Sequence, residues 1–194
     1  MQKNPLFAFY KELYFHEIDV REHLSSRIQI PLAVTVSLVG AFGFMILKFD
    51  EKINDVYSYV FVSVLILGGI AIVLSVYFLV RSWMGHEYAF LPSAGDTEKY
   101  RNTLVDTYKE FEDVDELVKF HLEAYLCKYY INCSTNNTDC NDKRSLYLHQ
   151  ANTVLVVVIL FAILSFSAFY LGNFYKSQSS QPIEVLIINP VELK

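Results

Sequence analysis

The sequence predicts an all-α membrane protein with three transmembrane helices, an N-terminal amphipathic helix and a small cytosolic helical bundle. Hydrophobic residues make up 53% of the 194-residue chain, and its mean hydropathy of +0.28 is high for a soluble domain. These residues are concentrated in three blocks without a charged side chain: Ile28–Leu47, Tyr57–Val80 and Ala151–Leu171.

Each block is long enough to cross the bilayer as a helix, since about twenty residues cover the hydrocarbon core. The alternative, buried helices of a soluble protein, rarely needs three such blocks in one small chain. Aromatic rings flank the second and third blocks, as membrane interfaces favour. The residues before Ile28 are mostly polar and aromatic, which does not fit a cleaved signal peptide.

The basic residues predict the orientation of the spans. Twelve of the sixteen Lys and Arg residues lie before the first span or between the second and third. The positive-inside rule therefore places the N-terminus and the insert between spans two and three in the cytoplasm. The tail after Leu171 then lies on the opposite side of the membrane, outside the cytoplasm.

Five segments follow from this topology: residues 1–27, an amphipathic helix; 28–80, a two-span hairpin; 81–150, a cytosolic helical insert; 151–172, the third span; and 173–194, an external tail. In the first segment, apolar residues recur near helical spacing but are interrupted by Glu17. We interpret this helix either as a lever that acts on span one or as a helix lying on the headgroups or on the cytosolic domain.

The insert is predicted to contain two helices. Ser93 or Asp96 caps the first, and an acidic run at 110–116 marks a turn. A second helix covers about Asp113–Ile131, and the Asn- and Ser-rich stretch Asn132–Asp142 reads as a loop. From Lys143 a helix continues into span three, while the β-prone residues 183–188 in the tail are either a docking strand or a disordered end.

No motif indicates catalysis or cofactor binding, and we expect no enzyme. The spacing of His121, Cys127, Cys133, Cys140 and His149 is too wide for a typical zinc site, so scattered reduced thiols are the simpler interpretation. No basic run indicates direct nucleic-acid binding. The glycosylation patterns at Asn132 and Asn136 fall on the predicted cytoplasmic side.

Small residues indicate close helix association within the membrane. Span one carries Ala33, Ser37, Gly40 and Ala41, and span two carries Gly68 and Ser75. Packing within one chain and assembly of several copies both require such residues, so both interpretations remain open. The spans contain no ionisable residue, which disfavours a monomeric ion-coupled transporter.

Three stretches carry a resemblance to a protein family: YKELYFHEIDVREHLSSRIQIPLAV, VRSWMGHEYAFLPSAGDTEKY and NDKRSLYLHQAN. Together they resemble small bacterial multi-pass membrane proteins of antiphage defence systems, the transmembrane effectors of retrons and of CBASS-like systems. The positions that match this pattern are Tyr88, Pro92, Asn141, Lys143, Arg144 and Asn152. Simpler roles also fit: a turn at Pro92, interfacial anchoring at Tyr88 and basic residues at the cytosolic end of a span.

The resemblance implies a membrane effector of an abortive-infection system that oligomerises and disrupts the inner membrane when triggered. Its partners would be the lipid bilayer, further copies of the chain and a cytosolic sensor protein or signal. The alternative is a non-conducting anchor or sensor subunit that recruits a cytosolic partner. A subunit of a transporter complex would need intramembrane charges from another chain.

Overall fold

The chain folds into five α-helices. The computed structural model describes residues 5–49 and 56–179, apart from the side chains of residue 57 and residues 172–179. The helices are α1 (Pro5–Arg27), α2 (Gln29–Lys48), α3 (Val56–Trp83), α4 (Ala94–Tyr108) and α5 (Val114–Ser179). Three continuous helical stretches are long and apolar enough to cross a membrane, and no strand occurs among the described residues. The predicted fold class, all-α with three spans, is confirmed.

Helices α1 and α2 form one nearly continuous stretch, from Pro5 to Lys48. Only Ile28 lies between them, and its carbonyl oxygen accepts the amide of Leu32 at 3.1 Å. Pro31 lies in the first turn of α2, where a missing N–H costs little. Helix α1 therefore continues the direction of α2 and packs along α5.

Helix α5 is the centre of the molecule, and the other helices pack against it. Helix α3 is antiparallel to α5: Phe61 meets Phe169 with ring centroids 5.9 Å apart, and near the other end Ser82 Oγ donates to the carbonyl oxygen of Arg144 at 2.9 Å. Helices α1 and α2 run parallel to α5. The second transmembrane helix thus runs antiparallel to the first and the third.

The buried face of α5 follows an uninterrupted heptad repeat, with successive positions alternately four and three residues apart. This spacing is typical of left-handed coiled packing. The repeat is polar outside the membrane and apolar or small within it. Its positions, all buried except the half-buried Ala162, are Tyr130, Ser134, Asn137, Asn141, Arg144, Leu148, Ala151, Leu155, Val158, Ala162 and Ser165.

The predicted loop Asn132–Asp142 is wrong, because this stretch is helical and belongs to α5. Asn and Ser have weak helix propensity, since their side chains compete for backbone hydrogen bonds. Here the Asn side chains instead bind another segment of the chain, and tertiary contacts override the propensity. The turn before α5 is where the acidic run predicted it, and Ser93 caps α4 by accepting the Asp96 amide at 3.1 Å.

Outside the three spans, we call α1, α4, residues 85–93 and residues 114–150 the stalk. Aromatic rings hold α4 on α5: Tyr100 stacks on Tyr125 at 4.2 Å, and Tyr108 on His121 at 5.2 Å. The backbone of α5 stays helical through Ser179, seven residues into the segment predicted as a tail. The β-prone residues 183–188 lie outside the described part of the chain.

Candidate functional site

A cluster of buried polar side chains joins α1, α5 and the segment after α3, in the stalk near the membrane. At its centre, the Asn141 amide nitrogen donates to the Glu17 carbonyl oxygen at 2.9 Å and to Glu17 Oε2 at 2.8 Å. The Tyr88 hydroxyl donates to Asn141 Oδ1 at 2.7 Å. Asn141 is only 3% exposed and Glu17 8%, so these bonds form in a site largely shielded from water.

Arg144 completes this polar cluster, one helical turn along α5 from Asn141. Its Nη1 donates to the Tyr88 hydroxyl at 2.8 Å, its Nη2 to Ser25 Oγ at 3.0 Å, and its Nε to the Ser82 carbonyl oxygen at 3.0 Å. No carboxylate lies within 4.0 Å of it among the residues that the structure describes. The buried charge instead bonds the Ser82 carbonyl oxygen at the C-terminal end of α3, where the helix dipole is negative, and the Arg21 carbonyl oxygen on α1 at 3.4 Å.

Side chains of α5 hold the extended segment 85–93 in place. The buried Asn137 bonds the backbone of Ala89 twice, accepting its amide at 2.9 Å and donating to its carbonyl oxygen at 3.1 Å. Cys133 and Cys140 donate to the carbonyl oxygens of Phe90 and Glu87. Side chains of α5 therefore bond backbone groups of Glu87, Ala89 and Phe90 that no helix satisfies, and Tyr88 lies over Arg144.

The structure brings together three of the six residues that match the family pattern: Tyr88, Asn141 and Arg144. Lys143 is exposed, Pro92 is half-buried just before the Ser93 cap, and Asn152 lies lower on α5 in a groove facing α1 and α2. Sequence reasoning missed the partners of the cluster: Glu17, Ser25, Ser82 and Asn137. The heptad spacing from Asn137 to Arg144 and the break that Glu17 makes in the apolar stripe were the available signals.

The small residues of the spans separate into an inward set and an outward set. Gly68 is buried, and a Cβ atom built there would lie 2.8 Å from Phe42 Cζ. Ser75 is buried too, with its hydroxyl 3.4 Å from the Ala151 carbonyl oxygen. These two residues serve packing within the chain.

The outward set lies on α2. Ala33, Ser37, Gly40 and Ala41 are all exposed, and an added Cβ at Gly40 would meet no atom within 4 Å. The buried face of α2, which includes Thr35 and Phe42, points the other way. Ala41 borders the groove to α5, whereas the other three residues face away from the described helices.

The thiols and imidazoles of the stalk do not converge on a metal-binding arrangement. In residues 5–49 and 56–179, no three His, Cys, Asp or Glu side chains are placed to hold an ion. Burial raises the pKa of the Cys133 thiol, which keeps this sulfur protonated and suits its role as a hydrogen-bond donor. The hydrogen bonds of the polar cluster join α1, α5 and the segment after α3, so the cluster positions these elements relative to one another.

Comparison with protein-family models, curated proteins and solved structures finds no match to this chain.

Proposed function

We propose that this chain is a membrane effector of a bacterial antiviral system of the abortive-infection type. It lies in the inner membrane with its N-terminus in the cytoplasm and its C-terminus in the periplasm. When triggered, it oligomerises and disrupts the membrane. The observation that carries the proposal is the outward surface formed by Ala33, Ser37 and Gly40 on α2, which no described helix of the same chain covers.

Small residues favour association because they let two helix backbones approach closely in lipid, where the hydrophobic effect gives no net attraction. On α3, Gly68 and Ser75 are already in use within the chain, since Phe42 contacts the site of Gly68 and Ser75 lies against Ala151. The surface on α2 has no such internal role. This division supports contacts between copies through α2.

The stalk offers a route by which a cytosolic signal reaches α2. Glu17 and Ser25 anchor α1 to α5 through Asn141 and Arg144, and α1 continues into α2. Displacement of α1 would break these bonds and change the position of α2 relative to α5. The resemblance of the chain to transmembrane effectors of antiphage systems supports the same class of function.

The test compares Gly40→Leu with Gly69→Leu, because an added Cβ meets no atom within 4 Å at either glycine. Cells that express each variant are challenged with phage while a potential-sensitive dye reports the inner-membrane potential. We expect wild type and Gly69→Leu to depolarise the cells and Gly40→Leu to lose the effect. Normal potential in infected wild-type cells, or full activity of Gly40→Leu, contradicts the proposal.

Large exposed aromatic residues in the stalk favour the second candidate, a non-conducting anchor that recruits a cytosolic partner. Phe9 and Phe15 on α1 and Phe120 on α5 are 56%, 49% and 67% exposed. Exposed apolar surface outside the membrane marks contact sites. If this candidate is correct, the wild type leaves the membrane potential unchanged, and the full chain with Phe120→Ser no longer captures a protein that the wild type captures. Identical sets of captured proteins for the two chains argue against this candidate.

A further inference from the structure

A groove runs between α1–α2 and α5, from the stalk into the first turn of the membrane-spanning part. Its outer cavity is about 420 Å³ and its inner cavity about 410 Å³. Leu24, Arg27 and Ser145 line both cavities, so the two are parts of one groove. No residue of α3 lines either part.

The charged groups along this groove are ordered by depth. The inner cavity has Arg27, His149 and Asn152 at its polar edge and Ile30 and Leu148 on its apolar surface. It contains no carboxylate. The outer cavity, farther from the membrane, has the carboxylates of Glu17 and Asp142, with His16 and His23 beside them.

Several of these groups have unused hydrogen-bonding capacity. Within the described residues, neither Arg27 nor Asp142 has an oppositely charged group within 4.0 Å. Only one carboxylate oxygen of Glu17 accepts the Asn141 side chain. A guanidinium without a partner at membrane depth is suited to a phosphate group, which it binds with two parallel bonds.

We propose that this groove binds the headgroup of an aminophospholipid, of the phosphatidylethanolamine class, from the leaflet on the side of α1. The phosphate lies on Arg27 beside Ser145, the two polar residues that line both cavities. The ammonium points outward to Asp142, the exposed carboxylate of the outer cavity. Asp142 precedes Ser145 by three residues, about 4.5 Å along the helix axis, which matches the short ethanolamine link between phosphate and nitrogen.

A second groove, deeper in the membrane-spanning part, offers an apolar surface to the acyl chains of the same lipid. Residues of α2 and α5 that lie one heptad beyond the inner cavity, Leu38 and Ile159, line a further apolar groove of about 450 Å³ that includes Ala41. A free phosphate compound would not use this path, whereas a phospholipid occupies both parts at the correct depth. This inference depends on the three spans and not on the proposed effector function.

The test measures lipid retention by native mass spectrometry of the full chain, released from detergent after titration with one lipid at a time. Phosphatidylethanolamine, phosphatidylglycerol and phosphatidylcholine with identical acyl chains are compared. We expect phosphatidylethanolamine to bind most tightly and Arg27→Gln to weaken it about tenfold, as loss of a charge-assisted hydrogen bond predicts. Asp142→Asn should remove the preference over phosphatidylglycerol.

Lys48→Gln, which changes an exposed cation at the opposite end of α2, is the matched control and should leave binding unchanged. Arg27 and Asp142 are both exposed, so their variants should keep the helical content of the wild type, which circular dichroism checks. Equal retention of the three lipids, tighter binding of phosphatidylglycerol, or unchanged binding by Arg27→Gln would each overturn the assignment.

Discussion

Asn141 on α5 and Glu17 on α1, 124 residues apart in the chain, are joined by two hydrogen bonds from one amide group. One bond goes to the Glu17 backbone and the other to its carboxylate. The same amide accepts the Tyr88 hydroxyl through its oxygen. A single side chain thus fixes the height of α1 on α5 and the position of the segment after α3.

Asn141→Leu should destabilise the protein by about 2–3 kcal/mol, because it removes the amide and leaves the buried Glu17 carboxylate short of a donor. The apparent melting temperature in detergent measures the effect. Adding Glu17→Leu to this variant should recover part of the loss, since the unpaired charge is then gone. If the two substitutions are simply additive, the carboxylate and the amide do not depend on each other.

Arg144→Lys should loosen α1, because an ammonium cannot reproduce the bonds of the guanidinium to Ser25, Ser82 and Tyr88. Amide hydrogen exchange near Ser25 should become roughly tenfold faster. The adjacent Lys143 is exposed, and Lys143→Arg is the control that should leave exchange unchanged. Equal protection in both variants would show that Arg144 does not hold α1.

Gly68→Ala should destabilise the membrane bundle by about 1–3 kcal/mol, the usual cost of overpacking. The added Cβ would lie 2.8 Å from Phe42 Cζ and 3.3 Å from Phe161 Cβ. Gly69→Ala is the neighbouring control, because its Cβ would meet nothing within 4 Å. Thermal unfolding of the two variants in the same detergent should separate them, and equal midpoints would contradict this packing.

Cys133 should react with a maleimide at least about tenfold more slowly than Cys127 or Cys140 in the folded protein. It is 3% exposed, whereas the other two are half-buried. Its raised pKa lowers the thiolate fraction at neutral pH, and its rate should keep rising as pH increases toward that pKa. Three Cys-to-Ser double variants, each with one thiol left, give the individual rates; similar rates for all three would rule out the buried position.

The spans, the capped helix α4 and the turn before α5 were predictable because each depends on local features of the sequence. Twenty uncharged residues indicate a span whatever lies beside them, and Ser93 caps α4 with an atom three residues away. Asn137 shows the limit. Its helix is stabilised by bonds to Ala89, 48 residues earlier, and composition alone predicts a loop there.

The partners within the candidate site were harder to predict for a related reason. The sequence does not distinguish a small residue that packs within its own chain, as Gly68 does, from one that faces outward, as Gly40 does. Glu17 looks like a defect in an apolar stripe until Asn141 is placed opposite it. On α5 the heptad spacing links Asn141 to the other buried positions of the same face. The positions from Tyr130 to Arg144 are polar, so a search for apolar residues does not find this part of the repeat.

Helix α5 is 66 residues long, which corresponds to about 99 Å at 1.5 Å per residue. It begins at the tip of the stalk and runs through the third span without a proline or a glycine before Gly172. Nothing in this stretch provides a hinge. A force that tilts the start of α5 is therefore expected to move the far end of the same helix, because no residue between them provides a point of bending.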